Sequence, residues 1–134
     1  MKENLTLSNC IEAVEEFHNS FGISNAYLPV NSISDSDLNL RYNLMKEENE
    51  EYLQAAKEGD LVEIADALGD MLYILCGTII EHGMQYKIDE IFSEIQNSNM
   101  SKLGADGNPI YREDGKVLKG PNYFKPDIKG ILNS

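Results

Sequence analysis

The sequence predicts an all-α protein: an antiparallel bundle of about four helices followed by an irregular C-terminal tail with a short hairpin. Three observations carry this. Apolar residues recur at helical spacing in four segments, Gly and capping residues separate those segments, and the last part of the chain is rich in Gly and Pro. At 134 residues the chain suits one domain. Residues 1–98 read as the helical body and residues 99–134 as a C-terminal arm of that same domain.

The first helix is expected from about Ser8 to Ser20, capped by Thr6 or Ser8, with Ile11, Val14 and Phe17 at helical spacing and Phe21-Gly22 as its stop. Residues 23–35 read as a loop, with Pro29 among Asn, Ser and Asp. The second helix starts near Ser34 or Ser36 and continues to Glu58. After a Gly59-Asp60 turn the third runs from Leu61 to His82, with Gly83 as its stop, and Asp60 with Glu63 has capping-box spacing. So short a connection allows only a helical hairpin. The fourth helix covers Lys87 to Ser98, with Ile88, Ile91, Phe92 and Ile95 on its apolar side. In the tail, Asp114-Gly115 between Ile110-Tyr111 and Val117-Leu118 predicts the hairpin.

Composition narrows the function. A net charge of -12 disfavours binding a nucleic-acid polymer through its phosphates. The N-terminal MKENLTLSNC has no signal-peptide core, and the apolar run Met71 to Ile80 is too short for a bilayer. Cys10 and Cys76 suggest neither a disulfide framework nor a zinc site. A soluble cytoplasmic protein with no membrane partner is the expectation. Residues 1–98 carry 19 acids against 5 bases, and residues 99–134 carry 4 against 6. An acidic body with a slightly basic tail raises the question of a shared anion held through metal.

The acids are oddly placed. With Leu44 as reference and about 100° per residue, Leu40, Glu48, Glu51 and Ala55 fall within about 40° of it, and Glu47 about 60° away. Lys46, Glu50 and Lys57 lie on the other side. Glu48 and Glu51 therefore share an apolar face, where an unpaired carboxylate is costly. On the third helix the charged residues Glu63, Asp66, Asp70 and Glu81 occupy one sector about 60° wide. No Lys or Arg occurs between Lys57 and Lys87. Beyond Asp70 the helix is apolar nearly all round, as for a buried central helix. Two neighbouring acidic strips without bases need a cation, and Mg²⁺ favours oxygen ligands with substrate phosphates.

Other chemistries fit worse. A di-iron bundle requires Glu-x-x-His on two facing helices, and only His18, which follows Glu15 by three, has that spacing. Cys76 sits in an apolar run and reads as packing, and His18 as a surface or packing residue. A non-catalytic acidic binding module, or a nucleotide sensor, is the alternative.

These residues also resemble a family. Glu47-Glu48-x-x-Glu51, then Glu63-x-x-Asp66 and Asp70 in EIADALGDMLYIL, then SNMSKL and GKVLKGPNY, resemble the all-α nucleoside triphosphate pyrophosphohydrolases, in their phosphoribosyl-ATP-pyrophosphohydrolase-like and MazG-like branch. The resemblance implies Mg²⁺-dependent hydrolysis, with Mn²⁺ as a substitute, releasing pyrophosphate and a nucleoside monophosphate. It also implies a homodimer or homotetramer. Glu48, Glu51, Asp66, Asp70 and Glu63 are then the metal candidates, and Glu47 with Glu48 the catalytic ones. The family's Glu-x-x-Asp has two placements here: ending on Asp70, which puts its Glu at Ala67, a departure from the pattern, or one turn earlier as Glu63-x-x-Asp66. Arg41, Asn99, Lys102, Lys116, Lys119 and Tyr123 are the substrate-contacting candidates.

Overall fold

The computed structural model describes residues 5–134, and these hold five α-helices and no strand. They divide into two compact units, one ending at Gln85 and the other running from Tyr86 to Ser134. No helix among the described residues is long and apolar enough to cross a membrane.

The first unit contains α1 (Leu7–Phe21), α2 (Asp35–Glu58) and α3 (Leu61–Glu81). Thr6 caps α1. Its Oγ1 accepts the Asn9 N–H at 3.2 Å, and Asn9 Oδ1 accepts the Thr6 N–H in return at 3.2 Å. Ser34 and Asp60 cap α2 and α3 through the Asp37 and Glu63 N–H groups. Gly59 closes α2 in the left-handed region at φ 71°. With only Gly59 and Asp60 between them, α2 and α3 fold back on each other. Ile11, Val14, Ala67, Cys76, Ile79 and Ile80 are buried.

Two expectations are corrected here. Leu40 does not join the inward stripe of α2 but is exposed, and α2 buries only Ala55 completely. Beyond Asp70, α3 is largely buried only from Cys76 to Glu81, while Leu72, Tyr73 and Leu75 stay exposed. Within this unit α1 and α2 pack on α3, and they leave its middle uncovered.

The segment after α1 is pinned along the end of α3. Val30 donates its N–H to the His82 carbonyl and accepts from His82 Nδ1, both at 2.9 Å. Ala26 donates to the Ile80 carbonyl at 2.9 Å, and Gln85 Nε2 donates to the Ala26 carbonyl at 2.8 Å. The contact needs Gly83, whose φ is 66° and where a Cβ would overlap the Leu28 carbonyl. Gly83→Ala is expected to lower stability by more than about 1 kcal/mol, from both the left-handed backbone and the overlap. An unchanged midpoint in urea unfolding would contradict this.

The second unit contains α4 (Ile88–Met100) and α5 (Ile128–Leu132). The expected hairpin is present in reduced form, as one antiparallel bridge between Tyr111 and Val117 across the Asp114-Gly115 turn. Around it, Leu118 donates to the Ile110 carbonyl and Arg112 to the Lys116 carbonyl, both at 2.8 Å. Ser98 and Ser101 fasten the tail to α4: Ser98 Oγ donates to the Phe124 carbonyl at 2.8 Å, and Ser101 Oγ accepts the Phe124 N–H at 3.2 Å. The five-residue α5 is too short to show an apolar period. Its cap is Asp127, which accepts the Gly130 N–H at 3.0 Å.

Candidate functional site

Arg41, Leu44, Glu48, Glu51 and Ala55 lie on one stripe of α2, and Asp66, Asp70, Gly77 and Glu81 on one stripe of α3. The antiparallel hairpin gives the two stripes opposite chain directions. Their acids meet two different fates.

Away from the turn, the charge is neutralised. Glu81 is 5% exposed, and its Oε2 lies 3.2 Å from Arg41 Nη1. His18, 2% exposed, faces the same guanidinium with Nε2 at 3.5 Å from Nη1. Toward the turn there is no such help. Among the described residues no Lys, Arg or His pairs with Glu48, Glu51, Asp66 or Asp70.

Glu48 is the focus of this acidic half. It is half-buried, and its Oε2 is shielded from water with no hydrogen-bond partner. Burial, the neighbouring Glu51 carboxylate, and the charges of Asp70 and Asp66 push its carboxyl up to about 7. As carboxylates, Glu48 and Glu51 offer each other no donor. Once Glu48 is protonated, its O–H can be shared with Glu51.

Sequence reasoning placed Glu48, Glu51, Asp66 and Asp70 together, and all three partners act on Glu48. Glu47 and Glu63 are exposed, and neither is among the groups that shift Glu48. The backbone N–H of Glu63 is used in the α3 cap. Arg41 is engaged by Glu81. In the second unit, Asn99 is exposed near the end of α4, and its carbonyl accepts the Lys102 N–H at 3.1 Å. Lys119 Nζ stands 4.7 Å from the centroid of the Tyr123 ring, a cation–π contact. The Lys116 N–H is held by Asp114 Oδ1 at 3.1 Å. Cys76 is buried, which pushes its thiol up and removes it as a nucleophile.

Sequence reasoning missed the buried roles of His18 and Glu81. The available signal was a glycine, Gly77, inside an apolar helix on the same stripe as the acids. A Cβ there would lie 2.7 Å from Arg41 Nη1 and 2.9 Å from His18 Nε2.

Among the described residues, no group of three or more His, Cys, Asp or Glu side chains is arranged to hold a metal ion outright. The donor chemistry nonetheless fits a hard divalent cation. A shielded carboxylate oxygen without a partner sits amid the charges of three exposed carboxylates, Glu51, Asp70 and Asp66. A shallow depression lined by Tyr42, Met45, Lys46, Asn49 and Met71 lies further round α2 and includes none of the four acids.

The profile of the phosphoribosyl-ATP pyrophosphohydrolase family matches residues 14–99, well over half of the chain. Over 69 residues the chain is 39% identical to an uncharacterized protein of Acanthamoeba polyphaga mimivirus. That match takes in 49% of this chain and 28% of the viral protein, so the chain covers under a third of that relative. From within α1 through nearly all of α4 the chain follows the family pattern, and it belongs to the phosphoribosyl-ATP pyrophosphohydrolase family, within the MazG-like all-α nucleoside triphosphate pyrophosphohydrolases.

Proposed function

We propose that the chain is a divalent-metal-dependent nucleoside triphosphate pyrophosphohydrolase that releases pyrophosphate and a nucleoside monophosphate. The observation that supports this most is Glu48: a shielded, partnerless carboxylate oxygen amid the charges of Glu51, Asp70 and Asp66. Such an arrangement costs folding free energy, and a bound cation offsets that cost.

Glu48, Glu51, Asp66 and Asp70 would hold Mg²⁺ or Mn²⁺, which when bound polarises phosphate oxygens and activates water. Glu47 is exposed beside Glu48 and free to take a proton from an attacking water. Within the second unit, Lys102, Lys116, Lys119, Asn99 and Tyr123 are proposed as substrate-contacting residues. Arg41 would meet phosphate from a position already bonded to Glu81.

The active form is proposed to be a homodimer or homotetramer. Leu61, Val62, Leu68, Leu72, Tyr73 and Leu75 are all exposed on α3 of the single chain, more large apolar surface than one helix of a monomer usually leaves uncovered. Light scattering coupled to size exclusion checks this, and a monomer at micromolar concentration would refute it.

The test of the activity is incubation with a panel of ribo- and deoxyribonucleoside triphosphates, with Mg²⁺ or Mn²⁺, followed by pyrophosphate detection. At least one nucleotide should yield pyrophosphate, and Asp70→Asn should abolish it. A nucleotide-sensing role is the second reading. It is favoured by Ala67, 1% exposed, which stands at the family's usual Glu position when the motif is placed to end on Asp70. Nucleotide binding without pyrophosphate release would select it.

A further inference from the structure

We propose that His18, Arg41 and Glu81 form a buried clamp that positions the carboxylates of the same seam, and that Gly77 is the opening that admits it. The proposal rests on the cation-binding reading of Glu48, Glu51, Asp66 and Asp70.

Like charges on facing helices repel. Turning α2 about its axis so that Glu48 moves outward relieves that repulsion. Arg41 precedes Glu48 by seven residues, so at about 100° per residue they share a face, two turns apart. Glu81 follows Asp70 by eleven residues, again on one face, three turns apart. A rotation that carries Glu48 out therefore pulls Arg41 off Glu81.

The clamp has direction as well as charge. Asn25 Nδ2 donates to Asn19 Oδ1 at 3.1 Å, which leaves Asn25 Oδ1 to accept from His18 Nδ1 at 2.7 Å. His18 thus carries its proton on Nδ1, and Nε2 is the acceptor turned toward Arg41 Nη1. The planar guanidinium sits between that nitrogen and Glu81. One line of contacts ties α1, the segment after it, α2 and α3. Any side chain at position 77 would displace the guanidinium or the imidazole. A buried ion pair of this kind is a weak stabiliser but a good selector of one arrangement. None of the three residues pairs with the four acids, so they are positioning residues, not ligands.

The test is Mn²⁺ binding to the full chain without nucleotide, by titration calorimetry, which keeps any phosphate contact of Arg41 out of the result. The double variant Arg41→Met with Glu81→Leu removes both charges while keeping the seam filled, so its Tm should stay near that of the wild type. Its Mn²⁺ affinity should fall at least about tenfold, the scale seen when groups that orient metal ligands are lost. Val14→Ala in α1 serves as the control: a lower Tm with undiminished Mn²⁺ affinity. If the double variant does not fold, Glu81→Gln, which keeps shape and one accepting oxygen, gives the same comparison. Unchanged affinity in a folded variant overturns the clamp and leaves the cation reading standing. A wild-type chain that binds no Mn²⁺ overturns the cation reading and the clamp with it.

Discussion

Glu48→Gln is expected to lose pyrophosphate release by at least about a hundredfold and, without metal, to melt higher than the wild type at pH 8. The two effects have one origin. The amide removes the charge that a divalent cation would meet, and it also removes the charge that Glu51, Asp70 and Asp66 oppose. A substitution that merely damaged packing would lower both activity and Tm.

The pH dependence carries a sign. The Glu48 carboxyl moves from an ordinary value of 4.5 to about 7 in the folded chain. Between those values the folded state holds a proton that the unfolded state has released, so stability falls as pH rises. The contribution is present below about 4.5 and lost as pH climbs through about 7. In metal-free buffer the wild-type Tm should therefore decline between pH 5 and pH 8, and Glu48→Gln should flatten that slope. Adding Mn²⁺ at pH 8 should restore Tm in the wild type and do little for the variant. A slope identical in both proteins would mean that Glu48 is not the group responsible.

Much of the helical body was legible because local chemistry dictates it. Thr6, Ser34, Asp60, Gly22, Gly59 and Gly83 mark the ends of α1 to α3, which lie within two residues of where those signals put them. Glu48, Glu51, Asp66 and Asp70 were legible from angular spacing alone, because two consecutive helices joined by a tight turn must bring facing stripes together. Glu47 and Glu63 show the limit of that argument. Their angles place them near the stripes, but neither is among the groups that raise the Glu48 carboxyl. Leu40 has the right angle too, yet it stays exposed. The role of Glu81 was hidden for another reason. On one helix it looks like the other acids, and only the fold brings Arg41 and His18 to it from two other helices. The short α5 is set by a single cap bond from Asp127, a signal too common to single out in sequence.

Arg41→Met is expected to be the most damaging single substitution for stability. It leaves Glu81, 5% exposed, as a buried carboxylate with no cation. Removing one partner of a buried pair costs about 3–5 kcal/mol, because the remaining charge stays desolvated. For a chain of this size that corresponds to a Tm lower by roughly 10 °C or more. The figure describes removal of one partner, not the net worth of the pair, which is smaller. Arg41 Nε is itself buried without a hydrogen-bond partner, so the intact arrangement already carries an uncompensated group. A second consequence separates this account from simple loss of packing. Combining Arg41→Met with Glu81→Leu removes the stranded charge and should recover most of the lost Tm. If the single and double variants melt together, the stranded-charge explanation fails.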